Sequence, residues 1–252
     1  MQRKELVDYL QAFLKVDEFK DYCPNGLQVE GSAEIKHIVA GVTASQALIN
    51  LAIDKNADAI LVHHGYFWKG ENQSIVGIKQ KRIKALLQAD INLLAYHLPL
   101  DAHPLLGNNA QLANVLGLQN VSSQQLNGVN NILWKGELAQ SLSANDFSLS
   151  ISEKLDRQAL WLPSSSNASI KTVAWCTGGA QSYITEAAEL GVDAYISGEV
   201  SEQNTHLAKE LDIHYFSAGH HATERYGVQA LSKHLAEKFK ISYEFIDIDN
   251  PV

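Results

Sequence analysis

The sequence predicts an internally duplicated α/β protein, two facing α/β lobes with mainly parallel strands and flanking helices. The first observation is a repeat: Ile35 to Val62, "IKHIVAGVTASQALINLAIDKNADAILV", lies without gaps on Ile170 to Ser197, "IKTVAWCTGGAQSYITEAAELGVDAYIS", at a constant offset of 135 residues. Identities fall at Ile35/Ile170, Lys36/Lys171, Gln46/Gln181, Ile49/Ile184, Ala52/Ala187, Asp58/Asp193 and Ala59/Ala194. The second is that each copy reads as apolar run, small-residue turn, helical period and second apolar run. A strand, a helix and a strand joined by short loops imply parallel pairing through a right-handed crossover.

Taken in order, "MQRKELVDYLQAFLKV" places Leu6, Val7, Leu10, Phe13 and Leu14 at helical spacing and spreads charge along its length, so it is an amphipathic first helix rather than a signal peptide. Pro24, Asn25 and Gly26 in "YCPNGLQVEG" form a turn by composition. The first repeat follows, its strand "HIVAGV" and helix "SQALINLAI" leading to "DAILVHHGYFW". "KQKRIK", Lys79 to Lys84, is the wet face of a further helix, and "IKALLQAD" then "INLLAY" give helix and strand before "HLPLD". In the middle, "ILWKGELAQ" and "ALWL" read as strands around a helical "SANDFSLSISEKL". The polar "PSSSNAS" is a boundary between local units. In the second copy Gly191 sits where a left-handed residue ends a helix, and "THLAKELD", "IHYFSA" and "GHHATE" repeat helix, strand and histidine motif. The expected division is an N-terminal lobe over residues 1–126 and a C-terminal lobe over 127–252.

At 252 residues and 46% hydrophobic content there is ample material for a core. The 20 basic residues against 28 acidic ones give a formal charge of -8, which argues against nucleic acid as a partner. No apolar run approaches the ~18 residues of a membrane span. Cys23 and Cys176 alone make neither a disulfide framework nor a paired-cysteine zinc motif, which suits a reducing, cytoplasmic location.

The chemistry gathers at strand ends, where parallel sheets place their ligand crevices. His63 and His64 close one apolar run, His97 and Asp101 follow another, and His220, His221 and Glu224 a third. With one extra residue allowed in the second half, His97 aligns with His220 and Asp101 with Glu224, so both halves offer a histidine and, four residues on, a carboxylate. In an extended strand His63 and His64 would point to opposite faces, so a single ion could not easily take both. At a strand end released into a turn by Gly65, two ions could take one each while Asp101 or Glu224 bridges them. Such paired centres hold metals ~3.5–4 Å apart, and mixed imidazole and carboxylate ligation suits Zn, Mn, Fe or Ni. His97 serves equally as a ligand, a hydrogen-bond partner of one, or a proton shuttle. His37, His103, His206, His214 and His234 remain outside this set, and most of them read as surface or packing residues. Lys69 and the Gly178-Gly179 turn of "WCTGGAQ" are the nearest candidates for an anionic group; the role of Glu199 is open.

"PNGLQVEG", "VTAS", "HHGYFWKG", "HLPLDAHPLLGNNAQLA", "WCTGGAQS", "DAYISGEVSEQ" and "AGHHATERYG" resemble the Nif-three-like family, whose bacterial members are called GTP cyclohydrolase I type 2 homologs. The resemblance runs from about Tyr22 to Pro251 and is weakest across Asn120 to Ala168. It implies a duplicated α/β fold, two divalent metal ions per subunit held by His63, His64, Asp101, His220 and Glu224, and a homohexameric ring. GTP cyclohydrolase activity is attributed to some members of that family. The expectation drawn here is a metal-dependent hydrolase acting on a small-molecule substrate, a nucleotide such as GTP or a related compound, with His97 the candidate catalytic proton shuttle. The competing expectation is a non-catalytic metal-handling or regulatory binding protein.

Overall fold

The computed structural model describes residues 1–166 and 168–252. Along the chain run α1 (Arg3–Phe13), β1 (Gly26–Val29), β2 (His37–Thr43), α2 (Gln46–Asp54), β3 (Ala59–His64), α3 (Gly77–Gln88), β4 (Asn92–Ala95), α4 (Leu98–Asp101) and α5 (Asn108–Leu116). There follow β5 (Gln119–Leu126), β6 (Val129–Leu142), α6 (Ala144–Leu155), β7 (Leu160–Leu162), β8 (Ile170–Cys176), α7 (Ile184–Glu189), β9 (Ala194–Ser197), α8 (Asn204–Glu210), β10 (His214–Ser217), α9 (His220–Phe239) and β11 (Ser242–Phe245). The "PSSSNAS" boundary follows β7; its Asn167 lies outside the described residues.

The chain forms two compact units, residues 1–107 with 227–249, and residues 108–226 with 250–252. These are not the expected halves 1–126 and 127–252. The difference lies in elements outside the repeat: α5 belongs to the second unit, while β11 pairs in parallel with β2 and so belongs to the first.

In the first unit the sheet order is β1-β4-β3-β2-β11, parallel throughout except for β1 at its edge. Ile38, Ala40, Leu61 and Leu94 pack with Leu6 and Leu10 of α1 and with Val228, Leu231 and Leu235 of α9. Val39, Ile60, Val62 and Leu93 point to the other face, against Leu48, Ile49 and Ala52 of α2 and Leu86 of α3. Burial on both faces explains the continuous apolar runs. Each fully buried aliphatic side chain contributes about 1.5–3 kcal/mol before entropy is counted.

In the second unit the order is β5-β6-β8-β9-β10-β7. Its centre, β8-β9-β10, is the parallel counterpart of the repeat, and the flanking strands pair antiparallel. Asn127 and Gly128 both have positive φ, at 52° and 80°, and close the β5-β6 hairpin. The core joins Phe147, Ile151 and Leu155 of α6 to Val173, Trp175, Ile196 and Phe216 of the sheet.

The repeat identities have structural reasons. Asp58 Oδ2 accepts the backbone N–H groups of Lys36 and His37 at 2.7 and 2.9 Å; Asp193 Oδ2 accepts those of Lys171 and Thr172 at 2.9 and 2.7 Å. In both copies one aspartate thus ties the start of the first strand to the start of the second. Asn56 and Gly191, related by the same offset, both take a left-handed conformation after the helix. The copies diverge where capping differs. Ser45 Oγ accepts Leu48 N–H and caps α2, whereas its counterpart Ala180 has no such oxygen, and the second helix opens as a 3-10 turn, Gln181–Tyr183, before the six residues of α7.

Candidate metal centre

In the first unit, His63 and His64 end β3, and His97 with Asp101 follows its parallel neighbour β4, so all four lie at carboxyl ends of adjacent strands. His63 is fully buried, and its Nδ1 lies 2.9 Å from the Tyr96 carbonyl oxygen. A carbonyl can only accept, so Nδ1 carries the proton and Nε2 keeps its lone pair when the ring is neutral. That Nε2 lies 3.5 Å from Asp101 Oδ1. His64 does not turn to the opposite face as strand alternation predicts: its ring centroid is 4.5 Å from that of His63, because the strand ends there and Gly65 begins the turn. Ligand atoms of His63, His64 and His97 lie within 4.8 Å of one another.

His97 is held from behind by a residue that sequence reading missed. Asp21 Oδ1 lies 2.7 Å from His97 Nδ1, and Asp21 Oδ2 accepts from Leu98 N and Asn25 Nδ2 at 2.9 and 2.8 Å. Asn25 Oδ1 accepts the His97 N–H at 2.7 Å. The "DYCPNG" turn is therefore a clamp on the start of α4. Burial works to raise the Asp21 pKa, but the hydrogen bond and charge of His97, with help from Asn25 and the Tyr22 amide, outweigh it and hold the carboxyl below its ordinary range. Cys23 also comes within ligand distance of Asp21 and His97. Burial and the Asp21 charge push its thiol up to about 12, so it offers no ready thiolate.

In the second unit, His220 begins α9 just past β10, and Glu224 stands one turn later. His220 Nε2 is 3.1 Å from Glu224 Oε2, and its Nδ1 is 2.7 Å from Glu199 Oε1. Burial works against a charge on His220, yet Glu224 and then Glu199 prevail and raise its pKa to about 9. Gly178 explains its own identity here. With φ +67°, it lies so close to Glu224 that an added Cβ would sit 2.0 Å from Oε1. The Gly178-Gly179 turn thus faces an anion, but that of the protein's own carboxylate, and the Gly178 N–H is already given to Thr223 Oγ1 at 3.1 Å. Gly198, at the repeat position of His63, would meet Gly178 O at 2.6 Å and His220 Cα at 2.7 Å if it had a Cβ, so the second copy has no room for a side chain there.

The remaining histidines have structural partners. His37 bonds Ser242, His103 accepts from the Leu105 and Leu106 amides, His206 faces Glu202, His214 meets Trp161 and Ser164, and His234 bonds Tyr9. His221 is buried, and its N–H goes to the Val252 oxygen. The donor set of each unit, imidazole nitrogen beside buried carboxylate oxygen, fits a borderline divalent metal ion. No helix among the described residues is long and apolar enough to cross a membrane.

The chain as a whole is similar to known proteins. Residues 1–251 match the family described as Duf34/NIF3 (NGG1p interacting factor 3). A protein of Allochromatium vinosum named GTP cyclohydrolase 1 type 2 homolog is 54% identical over 248 residues, 98% of this chain and 96% of its own. The solved structure of protein ybgI, described as of unknown function, is 49% identical and covers all of both chains with a TM-score of 0.95. That of TTHA1606 from Thermus thermophilus is 32% identical, again over all of both chains, with a TM-score of 0.90. The chain belongs to the DUF34/NIF3 family.

Proposed function

We propose that this protein is a metal-dependent hydrolase acting on a nucleotide or a related small molecule. The residues that would hold its two divalent ions per subunit are His63, His64, Asp101, His220 and Glu224, with Asp101 and Glu224 the carboxylates able to be shared. The observation that carries the reading is the burial of acid beside imidazole in each unit. Asp101 and Glu224 are only 5% and 3% exposed, each within 3.5 Å of a histidine Nε2. Buried carboxylates need compensating positive charge, and a divalent cation supplies it. Bound ions would polarise an electrophile and acidify a water at neutral pH. His63 contributes a lone pair on Nε2 because Tyr96 O holds the proton at Nδ1. Asp21 orients His97, whose other nitrogen is left to carry a proton to or from the reacting group.

The names of the relatives suggest GTP, whose guanine would open at C8 with release of formate. The chain's formal charge of -8 and an exposed Lys69 as the nearest cation in sequence make thin provision for a triphosphate. That favours, as second reading, a metal-handling or regulatory binding protein. To separate them, metal-loaded protein is incubated with GTP and a nucleotide panel, following formate and phosphate. Turnover that disappears in the H63A/E224A double variant and falls in H97A, with metal content kept in the latter, supports the enzyme. Equal signals from wild type and double variant, with transfer of metal to an apo acceptor, support the binding protein. The homohexamer belongs to the same proposal by family resemblance; light scattering that returns the 27.7 kDa monomer would remove it.

A further inference from the structure

The repeat offset of 135 places Glu199 on His64 and Gly198 on His63. The strand-end position that carries a histidine in the first copy therefore carries a carboxylate in the second. Glu199 is fixed at both ends. Its backbone carbonyl accepts the buried Tyr215 hydroxyl, and its Oε2 accepts Gln181 Nε2 at 3.1 Å. The other oxygen, Oε1, is 2.7 Å from His220 Nδ1. A carboxylate has no proton to give at neutral pH, so this contact holds the imidazole proton on Nδ1. The opposite nitrogen, Nε2, is the one 3.1 Å from Glu224 Oε2.

We infer that Glu199 is a positioning residue for metal binding: it selects the tautomer and ring orientation of His220 that present Nε2, with Glu224, to the ion. This rests on the metal-centre reading above. The structural logic matches that of His97, where Asp21 accepts from Nδ1 at the same 2.7 Å, although Asp21 comes from a loop before the repeat and Glu199 from just past the second copy's closing strand. The duplication has thus kept a carboxylate behind each aligned histidine while drawing it from different parts of the chain. Partners of this kind raise the basicity of the ligand and save the metal from ordering a free ring.

The test is zinc affinity, measured by competition with a chromophoric chelator, for wild type, E199Q, E199A, H220A and E202A. Glu202 is exposed on the neighbouring loop and pairs with the exposed His206, so E202A controls for lost surface charge. Affinity is expected to fall about 10–100-fold in E199A and less in E199Q, whose amide oxygen still accepts from Nδ1. Apo melting temperatures should fall only modestly in E199A, E199Q and H220A, since the His220 contacts also support the apo fold, and not at all in E202A. Long-range proton–nitrogen spectra of the zinc-loaded protein should show His220 protonated at Nδ1 in wild type and lose that protected Nδ1 proton in E199A. Wild-type affinity in both Glu199 variants, with H220A weakened, overturns the role of Glu199 and leaves the metal centre standing. Equal binding by wild type and H220A overturns both. If E199A fails to fold, the isosteric E199Q and its spectrum decide.

Discussion

Replacing Gly178 by alanine separates what the fold needs from what the metal needs. The residue has φ +67°, a region that costs a residue with a Cβ about 1–2 kcal/mol. In a chain of this size that is roughly 2–8 °C of melting temperature. The new methyl carbon would also start 2.0 Å from Glu224 Oε1 and 3.2 Å from His220 Nε2. The carboxylate can swing away because it is the end of a flexible side chain, so the clash adds little to the folding cost. To go from 2.0 Å to an ordinary contact, which begins at 3.4 Å, it must move by about 1.4 Å, whereas metal–ligand distances are held to about 0.2 Å. G178A should therefore remain folded with a modestly lowered melting temperature, and its zinc affinity should drop by at least about 10–100-fold, the loss typical of disturbing a ligand's support. G179A is the control: its Cβ would meet the Glu199 carboxylate at 3.5 Å, ordinary contact, at an unstrained φ. Calorimetry of the apo proteins and chelator competition read the two effects separately. Zinc affinity within about twofold of wild type in a folded G178A would refute the reasoning, since Glu224 could then be displaced without consequence for the ion.

Because the His220 pKa is raised from 6.5 to about 9, its protonation stabilises the apo fold fully below pH 6.5, and this contribution is lost as pH rises through about 9. The same proton competes with the ion, so zinc affinity should climb across that window; affinity flat from pH 6.5 to 9 by competition titration would contradict it. Asp21 has the opposite sign. Its lowered pKa contributes stability that is present above pH 3.8 and lost as pH falls through its folded value, so D21N should flatten the acid limb of the stability curve measured by urea melts. D58A and D193A each strip two backbone N–H groups of their acceptor, and each should cost about 1–3 kcal/mol. A large cost for one and none for the other would show that the two aspartates are not equivalent.

What could be read from the sequence followed local chemistry. The buried parallel strands were legible because burial on both faces writes an unbroken apolar run, as in "AILV" before His63, and the duplication was legible because the same geometric demands recur at a fixed offset. Asp58 and Asp193 survive in both copies since only a short carboxylate reaches two adjacent amides across the strand ends. The Asn-Gly turn between β5 and β6 carried a hairpin signal, yet β5 escaped, since "QNVSSQQL" is mostly exposed and has little apolar pattern to reveal it. Asp21 escaped for a different reason. Its contact with His97 spans 76 residues, and nothing local in "DYCPNG" says which ring the turn will clamp. Glu199 had a trace in the repeat alignment, as the counterpart of His64, but an aligned position reports where a side chain emerges and not what it touches. Its contact with His220 depends on β10 lying beside β9 and on Gly178 and Gly198 leaving the space empty. A residue that binds through its own chemistry therefore shows itself as a motif. One that acts by orienting another is defined by packing, and becomes visible only when the strands are set side by side.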